Sequence, residues 1–315
     1  MNSASTRTAS PPYAKGASLP DLPLLRSYLY APGSSERILA KVLDAGADAV
    51  ILDLEDSVAP ANKDTARAAV ADFLCENADR PGRPELHVRV NGGHHGFDID
   101  DVRAVVGSGL SAIRLPKCHD PRSVRLLHEV LSNLEAERKL PRNSIRVYAL
   151  IESAAGLYAA GHLAAAPRMA RLCFGSADFL ADIGARGSAH GPATLYARSR
   201  LVMVSRVASI GAPVDSVHTN LDDPAGLREG AILARDMGFS GKSVIHPNQL
   251  ADVHDVFTPT EDEIAWAKKV VAAFDAAQER GEAALALEGE FIDPAVVGRA
   301  RGLLAIAEEN DRGGR

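Results

Sequence analysis

Cysteine is scarce in this chain. Cys75, Cys118 and Cys173 are the three present among 315 residues, odd in number and widely spaced. That pattern excludes a disulfide framework and a zinc motif, and it points to a reducing cytoplasm. Long apolar runs are lacking too. No stretch reaches the roughly 18–20 residues of a membrane helix, so no membrane association is expected. Basic charge is not in excess. A net charge of −6 leaves no electrostatic footprint for nucleic acid. A glycine-rich phosphate loop is missing as well, because "APGSSER" after the first β-rich run is too sparse to be one.

What is present is apolar residues in quantity, 46% of the chain, enough for a large core. Residues 1–22, rich in Ser, Thr, Ala and Pro, read as a disordered tail. With Arg7 and Lys15 and no acid before Asp21, a targeting peptide is the alternative. From Arg26 onward, short β-rich runs alternate with segments of helical period. The runs are "SYLYAP" (27–32), "AVILDLE" (49–55), "ELHVRVN" (85–91), "AIRLPK" (112–117), "IRVYALIE" (145–152), "RLCFGSAD" (171–178), "PVDSVH" (213–218) and "KSVIH" (242–246). Gly46, Gly211 and Gly238 are read as helix stops. Eight such units predict a TIM (β/α)8 barrel over residues 23–258, with an open doubly wound sheet as the rival. Residues 259–315 form a C-terminal helical extension, opened by a capping box at Thr260 and Glu263, that could pack on a neighbouring subunit.

In a TIM barrel the active site lies at the C-terminal ends of the strands. Polar residues collect there: Asp53, Glu55 and Asp56; Arg89 and Asn91; Lys117; Glu152; Asp178; His218 and His246. A packed core has no use for so many charges in one layer. Glu152 and Asp178 end successive strands. Paired carboxylates repel unless they share a proton or a cation, so Mg²⁺ or Mn²⁺ is one reading. Helix N-caps are the other. Arg89, set between valines, calls for an anion or for an internal ion pair with Glu55 or Asp53. The three acids of "LDLED" either hold the waters of a metal or pair with Arg26, Arg89 or Lys117. Lys117 meets a substrate anion or snorkels to solvent. His246 reads as a satisfied polar anchor. His94 and His95 read as solvated.

These stretches resemble the citrate lyase beta-subunit-like and malyl-CoA lyase family. "RSYLYAPGSSER", "DAVILDLEDSV", "HVRVNG", "IRLPK", "ALIESAAGL", "FGSADFLADIG", "YARSRLVMVSRVASIGAPVDSVHTNLDD" and "GFSGKSVIHPNQ" carry the likeness in order. The resemblance implies a Mg²⁺-dependent carbon–carbon lyase that cleaves or forms a CoA thioester such as malyl-CoA, citramalyl-CoA or citryl-CoA, with a 2-oxo acid as the other partner. It implies Glu152 and Asp178 as metal ligands and Arg89 as the grip on the oxo-acid carboxylate. "GEFIDPAVV" places Asp293 in the acid/base role, supplied by the adjacent subunit of a homo-oligomer, a trimer or hexamer. The thioester enolate would be stabilised by backbone donors or by Lys117. Arg26 and Arg37 are candidate contacts for the CoA nucleotide. "GSAD" departs from the "GAED" of many relatives at Ala177, which puts substrate preference in doubt. Alternatives are a citrate lyase beta subunit acting on a carrier-bound substrate, a malyl-CoA thioesterase, and a CoA-independent oxo-acid aldolase.

Overall fold

The computed structural model describes residues 22–94 and 96–313. The N-terminal tail, except Leu22, and His95 lie outside the described residues. Eight parallel strands close a barrel in chain order, because β1 (Ser27–Pro32) pairs with both β2 (Ala49–Asp53) and β8 (Gly241–Val244). Between these lie β3 (Glu85–Arg89), β4 (Ala112–Leu115), β5 (Arg146–Ile151), β6 (Met169–Phe174) and β7 (Val214–Asp215). The helices α1 (Glu36–Val42), α2 (Lys63–Glu76), α3 (Ile99–Val105), α4 (Pro121–Glu137) and α5 (Ala154–Ala164) each follow one strand. α6 (Ser176–Asp182) and α7 (Pro192–Val207) both follow β6, and α8 (Pro224–Met237) and α9 (Leu250–Phe257) complete the ring.

Local chemistry explains the helix ends. Asp98, Asp120, Ser153 and Asp223 accept from backbone N–H groups at the starts of α3, α4, α5 and α8. In α4, Val124, Leu127, Leu131 and Leu134 recur at helical spacing and are buried against the barrel. Gly238 ends α8 in the left-handed region, at φ 100°. Gly211 is not a helix stop, contrary to expectation. Left-handed Ser209 (φ 55°) follows the end of α7. Gly211 is needed for space, since a Cβ there would sit 2.7 Å from Arg171 Nη1.

Most strands are shorter than their sequence runs, because the polar residues at the C-terminal ends lie past the last ladder pair. β7 is the extreme case. Pro213 precedes it and has no N–H to give to a neighbour. Within the barrel, side chains alternate between the bore and the helices. Strand register sets Asp53 beside Arg89, Arg89 beside Arg114, and Arg114 beside Tyr148. These four therefore share the inner face, and aliphatic residues between them face the helix layer.

The extension begins with α10 (Glu261–Glu279), and both halves of the Thr260–Glu263 capping box are made. The expected link is a hairpin of β9 (Leu285–Leu287) and β10 (Glu290–Ile292), turned by Glu288 and Gly289 at φ 51° and 89°. α11 (Pro294–Gly313) packs back on α10 around Phe274, Ile292 and Val297.

Candidate active site

Asp53 closes β2 and is 1% exposed. Its carboxylate takes both arms of Arg89, at 2.6 Å from Nε and 2.8 Å from Nη2. It also accepts from the N–H groups of Glu55 and Ser57. Burial pushes this carboxyl up, but Arg89, the Ser57 side chain and the Glu55 N–H outweigh it and hold it below the usual range. The remaining arm of Arg89, Nη1, lies 3.0 Å from Glu55 and 3.2 Å from Asp56. The guanidinium stacks over Tyr30, 5.0 Å from the ring centre. Of the two readings of Arg89, the internal ion pair is the one made within the chain.

Lys117 sits in the turn after β4 rather than in the strand. Its φ is +48°, an uncommon value for a residue with a side chain. This turn aims its N–H at Glu152 Oε1, 2.6 Å away. Its ammonium reaches Glu55 at 3.1 Å, on the rim, with 58% of the side chain exposed. Burial holds the Glu55 carboxyl above its ordinary value, although Arg89 and Lys117 pull it down.

Glu152 follows β5 directly and is 5% exposed. Ser153, not Glu152, caps α5, so the capping explanation fails for this acid. Burial, together with the charges of Asp178 and Glu55, pushes its carboxyl up to about 7 against the Lys117 N–H. Gly175 backs it closely. A Cβ there would lie 2.6 Å from Glu152 Oε2. Asp178 is not at a strand end. It is exposed, in the first turn of α6, a helix with no side-chain cap.

Asp53, Asp56, Arg89, Glu152 and Asp178 line one cavity of about 390 Å³ at the C-terminal mouth. That size suits the reacting end of a small-molecule substrate. Cys173, Leu150, Ser176, Ser216 and Ser243 also line it. The Ser176 and Ser216 hydroxyls are bonded at 2.9 Å. Sequence reasoning missed Tyr30, Cys173 and these serines. The period of two along each strand was the signal that could have found Tyr30, Cys173 and Ser243; Ser216 lies just past β7 and Ser176 lies in α6.

Two carboxylates lining one cavity, one of them pushed toward neutrality chiefly by burial and further by the charge of the other, suit a hard divalent cation that keeps several of its waters. Among the described residues no group of three or more His, Cys, Asp and Glu forms a closed metal cage. Mg²⁺ needs no such cage. Glu152 and Asp178 would hold it, with Glu55 and Asp56 near enough to orient its waters.

Two expected site residues lie elsewhere or have other partners. Arg26 precedes β1, so it is at the opposite end of the barrel from the cavity. Its guanidinium is locked on Asp48 at 3.0 Å and on Thr258, which removes it from the substrate contacts. Asp293 does not line the cavity of its own chain. It accepts from Ala295 and Val296 N–H at the start of α11. His246 caps the turn after β8 and accepts from Asn248 N–H, a structural anchor as expected.

Known proteins resemble this chain over most of its length. Residues 26–247 match the HpcH/HpaI aldolase/citrate lyase family. The chain is 35% identical over 288 residues to the citrate lyase subunit beta of Leuconostoc mesenteroides subsp. cremoris, covering 91% of this chain and 94% of that one. It is 33% identical to the mitochondrial citramalyl-CoA lyase of Homo sapiens, covering 90% and 85%. The solved structure of CitE from Mycobacterium tuberculosis, in complex with magnesium, acetoacetate and coenzyme A, superposes with a TM-score of 0.73 at 29% identity, over 90% of this chain and 98% of that one. The chain is an enzyme of the HpcH/HpaI aldolase/citrate lyase family.

Proposed function

We propose that this enzyme is a Mg²⁺-dependent carbon–carbon lyase that converts a 3-hydroxyacyl-CoA into an acyl-CoA and a 2-oxo acid, reversibly. The observation that carries the reading is the pair Glu152 and Asp178 in one cavity with Arg89. Mg²⁺, when bound, supplies Lewis-acid stabilisation of the oxygen that gains charge as the bond breaks or forms. Glu152 is held for its part by the Lys117 N–H and the close backing of Gly175. Arg89 is oriented by Asp53, so its Nη1 arm faces the cavity rim. The oxo-acid carboxylate replaces the exposed Asp56 on that arm. In our reading the Lys117 ammonium, paired with Glu55 on the rim, turns to the thioester oxygen when substrate binds. A cavity of about 390 Å³ takes the acyl end only, and the nucleotide of CoA runs out along the surface.

The proton at the acyl carbon needs a base. Asp293 has that role in our reading. Since it does not line the cavity of its own chain, a neighbouring copy delivers it, in a homo-oligomer such as a trimer or hexamer. The three cysteines are free, which suits a reducing cytoplasm. The test is a coupled assay of the purified protein with Mg²⁺ against malyl-CoA, methylmalyl-CoA, citramalyl-CoA and citryl-CoA. Oxo acid and acyl-CoA in equal amounts, abolished by EDTA, are expected. Free CoA with intact hydroxy acid would make it a thioesterase. Turnover only of a carrier-bound substrate would make it a citrate lyase beta subunit.

A further inference from the structure

Below the catalytic mouth, the bore of the barrel holds charge with no answer. Arg114 on β4 is 0% exposed and Arg171 on β6 is 5% exposed. Neither has a carboxylate within ion-pair distance among the described residues. Asp53 is engaged by Arg89. Glu85, at the start of β3, is engaged by His87 at 3.0 Å and by Arg146. Arg114 instead touches neutral groups: His87 Nδ1 at 3.4 Å and Cys173 Sγ at 3.3 Å. It lies over the Tyr28 and Tyr148 rings, 4.5 and 5.1 Å from their centres. Arg171 likewise donates to the Ala212 and Pro23 carbonyls and to Ser240 Oγ.

Four polar atoms here lack a hydrogen bond of normal geometry among the described residues: Arg114 Nη2 and the Tyr28 hydroxyl, and Arg171 Nε and the Tyr148 hydroxyl, whose side chains meet each other. All four can donate. They are also close together. The two tyrosine rings are 6.1 Å apart, Arg114 lies against both, and Arg171 lies beside the Tyr148 hydroxyl. Leaving buried donors unmet is costly, and leaving a buried guanidinium without a counter-charge costs more. Water offers lone pairs to such donors but no charge. A small anion meets both needs at once.

We infer that the barrel bore binds a small monovalent inorganic anion of chloride size, held by Arg114, Arg171 and the hydroxyls of Tyr28 and Tyr148. The site lies beneath Cys173 in the cavity floor and is separate from the metal and substrate groups. The inference does not depend on the reaction proposed above. Its occupant is structural, a counter-ion that lets two arginines fill the bore.

The probe is bromide. Crystals of the full chain grown in chloride and soaked in sodium bromide should show an anomalous peak at the bromine edge beside Arg114 Nη2 and the Tyr28 and Tyr148 hydroxyls. In solution, the protein dialysed into sodium gluconate should melt at a lower temperature than in sodium chloride of equal ionic strength. The gap should widen with each tenfold rise in chloride above its Kd. Tyr148→Phe should weaken this halide dependence, and Arg114→Met should remove it. Should Arg114→Met fail to fold, the wild-type peak and Tyr148→Phe decide the matter. A bore holding only water after the bromide soak, or identical wild-type melting in the two salts, overturns the inference.

Discussion

Gly175→Ala tests the seat of Glu152 without touching a charged group. The backbone at Gly175 is φ −108°, ψ 88°, outside the left-handed region, so alanine adds no strain through positive φ. Its effect is steric. The new Cβ would stand 2.6 Å from Glu152 Oε2 and 2.7 Å from Glu152 Cβ. The second contact is about 1 Å short of ordinary carbon–carbon contact, and it involves the root of the side chain rather than its free end. Glu152 has little room to retreat, being 5% exposed and pinned by the Lys117 N–H at 2.6 Å. Overpacking of this kind costs about 1–3 kcal/mol of stability. A displaced ligand carboxylate should cost Mg²⁺ affinity about 10–100-fold, the range seen when a ligand's support is lost. Calorimetric titration of Mg²⁺ into the substrate-free protein reads that loss, and circular dichroism checks that the variant is folded. A folded variant that binds Mg²⁺ within about twofold of wild type would refute the argument.

Other perturbations separate structural from chemical roles. Asp53→Asn breaks the two-armed contact with Arg89 and leaves a mostly buried guanidinium. Glu55 and Asp56 remain beside it, so a loss near the lower end of the usual range, about 3 kcal/mol, is expected in urea denaturation; an unchanged midpoint would contradict the coupling. His87 is fully buried among Tyr28, Tyr148, Arg114 and Glu85. Burial lowers its pKa from 6.5 to about 4, despite the Glu85 carboxylate. The unfolded chain therefore takes up this proton first as pH falls, and stability drops between pH 6.5 and 4 by up to about 3 kcal/mol. Stability curves of wild type and His87→Gln should diverge over that window, and parallel curves would rule the effect out. Asp293→Asn keeps an N-cap for α11, because asparagine caps as well as aspartate. Melting should be unchanged while turnover falls about 10²–10⁴-fold. Near-normal turnover would remove Asp293 from the chemistry.

Much of the architecture could be read from the chain because its signals are local. "SYLYAP" is β1 to the residue, and the Thr260 box opens α10 as expected. Chemistry at the mouth was legible because each polar group there follows an apolar run abruptly. Position within an element was harder. Asp178 belongs to α6, since the polar "GSAD" already starts a helix with Gly175 as its N-cap. Arg26, a candidate contact for the CoA nucleotide, precedes a barrel strand and therefore lies at the other end from the mouth. The partner of Arg89 depended on register, and register is a property of two strands that neither shows alone.

The bore shows the limit most plainly. Arg114 stands between Ile113 and Leu115, as Arg89 stands between Val88 and Val90. The same question applied to both: what answers an arginine in an apolar strand? Arg89 ends its strand, and the acids of the neighbouring run, "LDLED", are at hand to answer it. Arg114 has no such run beside it, and its neighbours on the inner face are Arg89 and Tyr148. Only the closed barrel reveals that Arg171 joins it there rather than an acid. A partner missing from the sequence is invisible until the fold has placed every residue that could have been that partner. The mouth could therefore be reasoned out strand by strand, whereas the charge of the bore emerges only from the ring as a whole.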